Sequence, residues 1–439
     1  MKNYDVIIIG GGMMGTSCAY YLCKEGLKVL LIERGDIAGG TVSHTDGSIG
    51  YAEKKPGVDV LQGYHSLRLY DEMARTFDYN FEYHTNENGD TVGYVYFCES
   101  EFEMEKAAER AKEVQAQGME MYLVDSKELK ELEPNGADDL MGGLWIPNDG
   151  VVCPYRVAFG FIYEANKTGN LDVLKQTEVV NILQDPNTKA VKGVLTDKGN
   201  TYYSPKIVNA AGVWAPFIGA MVGMEVPIEP RYGQLLVSEK AQKVTQNREV
   251  LEYGYILTKF FADGERPISD LVKAYNFCLN IETTLSGNTI VGGCRLFRGY
   301  SIRSEYRIMQ AIAQRGVRFF PMLKDMMCIR SFAGLRPFCL DHLPIVSDVE
   351  EVPGMYMACG HEGDGIALGP ITGKLIPQYV TEKPLQFPEA TELAWSRFKK
   401  VDIQALKARE NENTRQLQEL ERKYNMESEL NSHCQKIRS

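Results

Sequence analysis

Tyr4-Asp5-Val6-Ile7-Ile8-Ile9-Gly10-Gly11-Gly12-Met13-Met14-Gly15 is the stretch that decides the fold. Residues 4–9 form a short, continuous apolar run, as a parallel strand buried on both faces requires. The glycines follow at once. Residues 16–25 then read as a helix whose apolar face is Cys18, Ala19, Leu22 and Cys23, closed by Gly26. Lys28-Val29-Leu30-Leu31-Ile32-Glu33 reads as a second strand. The whole is a βαβ unit.

Gly10, Gly12 and Gly15 fall at the spacing of a dinucleotide-binding turn, with an acid ending the second strand. The first glycine permits the tight turn and the second lets the backbone approach a diphosphate. The third lets helix and strand pack closely, while the helix N-terminus attracts the phosphate charge. Glu33 can accept from both ribose hydroxyls, and its charge repels a 2′-phosphate. That selects NAD or FAD over NADP, and these residues alone leave the two open.

Outward from this unit, the composition is that of a folded protein of two to three domains. Of 439 residues, 44% are hydrophobic, 24% charged and 10% aromatic, which excludes collagen-like and disordered classes. No apolar run approaches the roughly 20 residues of a bilayer crossing. The formal charge of −11 repels phosphate backbones and argues against nucleic acid as a partner. Met1 to Asp5 lead directly into the first strand, which reads as a cytoplasmic chain without an export signal. Its ten cysteines contain no C-x-x-C pair and its six histidines no metal-spaced group, so no metal ligands are assigned.

Further along, residues 39–50 form a small-residue loop, and 100–117 and 154–167 are helical in pattern. Residues 191–196 and 200–203 read as paired strands around Asp197-Lys198-Gly199. Residues 207–212 form an apolar strand closing on small residues. Strand-like stretches follow at 234–238, 277–281 and 289–292, with a helix expected over 303–319. Residues 354–360 read as a last buried strand, 361–365 as a glycine-rich turn and 366–380 as a helix. From about residue 399 the chain becomes a charged helical tail.

Several motifs now fall in order: Gly39-Gly40-Thr41-Val42-Ser43-His44-Thr45-Asp46-Gly47-Ser48, Ala210-Ala211-Gly212-Val213-Trp214, Gly334-Leu335-Arg336-Pro337, and Gly360-His361-Glu362-Gly363-Asp364-Gly365-Ile366. The series resembles the D-amino-acid-oxidase superfamily of FAD-dependent oxidoreductases over about residues 4–398. Tyr232-Gly233-Gln234, Leu285-Ser286-Gly287-Asn288 and Ser331-Phe332-Ala333-Gly334 are most similar to glycine-oxidase-like enzymes. They are similar too to the β, catalytic FAD subunits of bacterial proline or hydroxyproline dehydrogenase, opine dehydrogenase and hydrogen cyanide synthase.

The resemblance implies an α/β fold in which a Rossmann-like FAD-binding domain (1–80, 145–220 and 325–395) is interleaved with an α+β substrate domain. The latter covers 81–144 and 221–324 and carries an antiparallel sheet, with 396–439 as a separate tail. It implies FAD as cofactor, contacted by Gly10, Gly12, Met13, Met14 and Gly15, then Glu33 and Arg34, then Thr41, Ser43, His44, Gly47 and Ser48. Val179, Ala211, Gly212 and Trp214 complete the first half, and Gly334, Arg336, Gly363, Asp364, Gly365 and Ile366 the second.

It also implies a substrate. Arg336 is the expected ligand of a substrate carboxylate, since a planar guanidinium binds that group bidentately; the alternative is a structural arginine paired with Asp341 or capping a strand. His361 is expected either beside the flavin ring or hydrogen-bonded to a neighbouring loop. Tyr255, with Tyr253, either lines the pocket or is one face of a strand. The 363–366 turn should offer backbone N–H groups to the flavin N1/O2 edge. His44 resembles the histidine that carries covalent FAD in dimethylglycine-dehydrogenase-like relatives, although its surroundings depart from theirs and glycine-oxidase-like members hold FAD non-covalently. Gly334 stands where monomeric sarcosine oxidases carry their attachment cysteine.

The expected reaction is therefore oxidation of the C–N bond of a small amine or amino acid, in an oligomer. The chain is either the catalytic subunit of a dehydrogenase, with partner subunits carrying an iron–sulfur cluster or second flavin, or a self-sufficient oxidase releasing peroxide. A tRNA-modifying flavoprotein and a binding module with structural FAD are the remaining readings.

Overall fold

The computed structural model describes residues 3–54, 56–83, 93–240, 243–246, 248–260 and 270–438. The chain divides into two compact units. One comprises Met1–His84, Asp149–Pro230 and Gly334–Ile403, and the other Thr85–Asn148, Arg231–Ala333 and Gln404–Ser439.

The first unit is built on a six-stranded sheet. Its strands, in chain order, are β1 (Val6–Ile9), β2 (Val29–Ile32), β3 (Leu171–Leu174), β4 (Ile207–Asn209), β5 (Ile345–Asp348) and β6 (Met355–Cys359). They lie in the order β5-β6-β4-β1-β2-β3. All neighbouring pairs are parallel except β5 with β6. Every residue of β1, β2 and β6 is buried, which is why those segments read as unbroken apolar runs. Ile7, Ile9, Leu30, Ile32, Ile207, Met355 and Met357 form the centre of its core.

Two helices, α1 (Met13–Lys24) and α4 (Gly365–Val380), pack on this sheet and on each other; α2 (Val58–Thr76) packs on α4 and α3 (Pro154–Asn166) on α1. Helix α1 starts at Met13, earlier than the expected residue 16. Met13 to Gly15, the end of the glycine-rich turn, thus already belong to the first helical turn, with Gly12 as N-cap. Helices α1 and α4 approach closely. A Cβ on Gly369 would stand 2.6 Å from Met13 Cγ, and one on Gly373 1.9 Å from Ser17 Oγ. Ser17 Oγ donates to the Gly369 carbonyl at 2.9 Å. Helix α2 was not anticipated, because its buried face includes Asp59, Gln62, Ser66 and Asp71 and so carries no clean apolar stripe.

The second unit is α+β. Its sheet is mostly antiparallel, as in the neighbours 277–283 and 289–294, with one parallel pair between Glu249–Glu252 and Tyr94–Cys98. The expected helix over 303–319 begins at Tyr306. Tyr253 and Tyr255 do not lie on a strand: the strand ends at Glu252 and a helix runs over Gly254–Phe260. The charged tail is a helix, α5 (Ile403–Arg438), grouped with this unit from Gln404 onward. Arg298 bonds to Glu421 at 2.8 Å and Arg307 to Asn425 at 2.6 Å. Among the described residues no helix is long and apolar enough to cross a membrane.

Candidate functional site

Three neighbouring parallel strands end together: β1 at Gly10, β4 at Ala210-Ala211 and β6 at Gly360-His361. The crevice outside the carboxyl ends of such strands is where open α/β sheets take ligands. Gly10 has φ +110°, and a Cβ there would lie 2.5 Å from the Ala210 carbonyl oxygen. At Gly15 a Cβ would lie 1.8 Å from the Gly10 carbonyl oxygen, so only hydrogen fits between turn and helix.

Gly12 is different. It has an ordinary φ of −80° and makes no side-chain cap bond. The nearest atom to a Cβ there would be Val42 Cγ2, at 3.9 Å. Nothing in the chain's own packing demands glycine at this position. The open space lies against the first turn of α1, whose leading N–H groups have no intrahelical acceptor.

Around this turn, Glu33 accepts from the Gly11 N–H and the Gly35 N–H, each at 2.7 Å, through different oxygens. One lone pair remains on each oxygen. The Arg34 guanidinium stacks over the Trp214 ring at 3.9 Å. Ala211 N–H donates to Asn209 Oδ1, fixing the loop that leads to Gly212. Val179 is buried in the same core cluster as Ile9 and Ile32, its side chain serving packing.

A second helix starts beside the first. A 3-10 turn, Glu362–Asp364, leads into α4 at Gly365, where a Cβ would stand 3.8 Å from Met14 Cε. Two of the N–H groups expected to face a ligand are engaged internally. Gly363 donates to its neighbour Glu362 at 2.7 Å and Asp364 to the His361 carbonyl at 2.9 Å. The leading donors of α4 are therefore those from Gly365 and Ile366 onward. Asp364 turns to Lys54, whose Nζ lies 3.0 Å from Oδ1, both side chains being buried.

His361 is buried, and its Nε2 lies 2.8 Å from Thr372 Oγ1 on α4. Its Nδ1 is buried and has no hydrogen-bond partner among the described residues. Burial drives its pKa from 6.5 down to about 3; nearby Asp364 opposes the change and Lys54 adds to it, so the imidazole is neutral at ordinary pH. Ser48 begins the two-residue strand Ser48–Ile49, paired with Gly150–Val151. Its Oγ is likewise buried without a partner among the described residues. The preceding Gly47 carbonyl accepts from Val152 N–H at 2.9 Å.

The loop before Ser48 contains a 3-10 turn, Thr41–His44. Ser43 Oγ bonds to the Gly40 carbonyl, and His44 Nδ1 lies 2.9 Å from the same oxygen. Thr41 Oγ1 donates to the Leu335 carbonyl at 2.7 Å, which ties this turn to the segment carrying Gly334 and Arg336. Arg336 is half-buried. Asp341, its alternative structural partner, is held by Arg397 through bonds of 2.6 and 3.2 Å. In the second unit, Tyr255 is buried with the Arg295 guanidinium 3.8 Å above its ring.

Two residues of this site carried no sequence signal: Lys54, and Asp149, which accepts from Tyr51 and Ala52 N–H. Neither lies in a recognisable motif. Their partners are 310 and about 100 positions away in the chain, distances that only folding closes.

Residues 5–378 match the family described as FAD dependent oxidoreductase (DAO). Hydrogen cyanide synthase subunit HcnC of Pseudomonas aeruginosa is 25% identical over 90% of this chain and 96% of that protein. Sarcosine oxidase subunit beta of an Arthrobacter species is 25% identical over 82% of each. Among solved structures, L-proline dehydrogenase from P. horikoshii superposes with a TM-score of 0.79 at 23% identity, covering 91% of this chain and 98% of that one. Glycine oxidase from Geobacillus kaustophilus gives 0.76 at 23%, covering 90% and 99%.

Proposed function

Because this chain belongs to the FAD-dependent oxidoreductase family, we propose that it oxidises the C–N bond of a small amine or amino acid, as the catalytic subunit of a dehydrogenase. The residues present fit the cofactor on three counts. Gly12 keeps a space open that the chain itself does not need, and Ser48 Oγ and His361 Nδ1 are buried polar atoms without a partner among the described residues. Bound FAD supplies the hydride acceptor, its N5.

The first turn of α1 would hold the diphosphate through its leading N–H groups, and the lone pairs left on Glu33 would take ribose hydroxyls. The N-terminus of α4 offers donors where a reduced flavin carries negative charge. His361, held neutral at ordinary pH by its burial, adds no positive charge at the start of α4.

Arg336 would anchor the substrate carboxylate. The observation that carries this role is the Thr41–Leu335 bond, which fastens the backbone beside Arg336 to the loop of the cofactor cradle. A guanidinium carried on that segment has two parallel donors to offer a carboxylate, which would set the carbon to be oxidised relative to the cofactor.

The relatives that are themselves subunits, HcnC and sarcosine oxidase beta, support the subunit part of this reading. Anaerobic mixing of the FAD-loaded protein with glycine, sarcosine, proline, hydroxyproline and opines tests it. Loss of the oxidised-flavin band with one class identifies the substrate; no loss with any of them refutes the amine reading. Peroxide released in air would instead identify a self-sufficient oxidase.

A further inference from the structure

Residues 50–54 are built to deliver one ammonium group to the start of α4. Asp149 is completely buried and accepts from the Tyr51 N–H at 3.1 Å and the Ala52 N–H at 3.2 Å. Gly50 lies against the same carboxylate, with room for no side chain: a Cβ would be 2.2 Å from it. The loop so held carries Lys54 inward until its side chain has no exposure and Nζ reaches Asp364 Oδ1 at 3.0 Å. Asp364 is the N-cap residue of α4, yet its side chain makes no capping bond. Its carboxylate turns from the helix it precedes to Lys54.

Taking both charges out of water is costly, and for stability alone such a pair roughly breaks even. Its position gives it another use. A carboxylate at the N-terminus of α4 stands where the negative charge of a reduced flavin would develop, and an uncompensated one would oppose that charge.

We propose that Lys54 is a positioning residue that neutralises Asp364 and so makes reduction of the bound flavin easier. This rests on the reading that FAD lies with its ring at the N-terminus of α4. A brace that served only folding would change the melting temperature and leave the flavin's redox balance alone.

The test is the two-electron midpoint potential of the FAD-loaded full chain at pH 8, for wild type, Lys54→Met, Asp364→Asn and the double variant. Lys54→Met should move the potential negative, lowering the ratio of reduced to oxidised flavin about tenfold at fixed electrode potential. Asp364→Asn, nearly isosteric, should move it positive, and the double variant should return toward wild type. Single variants that both keep the wild-type potential, or that both move it the same way, overturn the proposal, as does a double variant indistinguishable from Lys54→Met. If Lys54→Met does not hold FAD, Asp364→Asn decides alone: an unshifted potential overturns it. A wild-type chain that takes up no FAD fails in a different way, removing the cofactor reading and this proposal together.

Discussion

Gly334 lies against His44 with no room for a side chain: a Cβ would stand 2.6 Å from the His44 carbonyl oxygen and 2.8 Å from its Cβ. With the Thr41–Leu335 bond three residues away on one side and one on the other, the 41–44 turn and the 334–336 segment are locked at two nearby points. Gly334→Ala should therefore lower stability by about 1–3 kcal/mol and loosen FAD. A melting curve and a flavin titration read both effects. Gly334→Cys should do the same without forming a covalent link, and flavin remaining in solution after acid precipitation of the protein is the expected sign.

Arg336→Leu should raise KM for an amino-acid substrate by about 10–100-fold, the equivalent of a lost charged hydrogen bond. An amine without a carboxylate should be much less affected. Steady-state kinetics with both substrates make the comparison, and equal KM changes for the two would refute carboxylate binding.

Gly12 and Gly15 should fail differently. Gly15→Ala forces a Cβ to within 1.8 Å of the Gly10 oxygen, so it should unfold the cradle and lower the melting temperature of the apoprotein. Gly12→Ala meets nothing closer than 3.9 Å and has a permitted φ, so the apoprotein should melt close to wild type. Its FAD affinity should nonetheless fall by about 100-fold or more, because the methyl group occupies the ligand's space. Calorimetry and flavin binding separate the two.

Stability should depend on pH through two groups of opposite sign. The unfolded chain protonates His361 near 6.5, whereas the folded chain resists down to about 3. Between those values the unfolded state holds the extra proton, so this contribution to stability is lost as pH falls from about 6.5 toward 3. Asp149 is raised by burial from 3.8 to about 7, against the pull of the Tyr51 and Ala52 N–H groups and Lys54. There the folded state holds the extra proton, so its contribution is present at low pH and lost as pH rises through about 7. Going from pH 7 to 5, the melting temperature of wild type should drop relative to His361→Asn and rise relative to Asp149→Asn. Parallel curves would contradict both assignments.

The opening βαβ unit was legible because its physics is local: a run buried on both faces, a turn only glycine can make, a helix and a second buried run. Even there Met13 to Gly15 look like loop by composition and are in fact helix, since a first turn needs no apolar stripe. Helix α2 was illegible because its buried face spends Asp59, Gln62, Ser66 and Asp71 on specific partners. Tyr253 and Tyr255 alternate like strand residues, but the strand stops at Glu252 and the chain coils. Arg336 could be singled out from its motif. That Asp341 belongs to Arg397, and Lys54 to Asp364, could not, because each partner arrives from a distant part of the chain.

The seam between α1 and α4, closed by Gly369, Gly373 and Ser17, has an evolutionary corollary. Both ends of a long cofactor would rest on what behaves as one splinted piece, so neither grip can be retuned without disturbing the other. New specificities in such a scaffold should accumulate in side chains beyond the splint, leaving its glycines and its serine untouched while the chemistry around them diversifies.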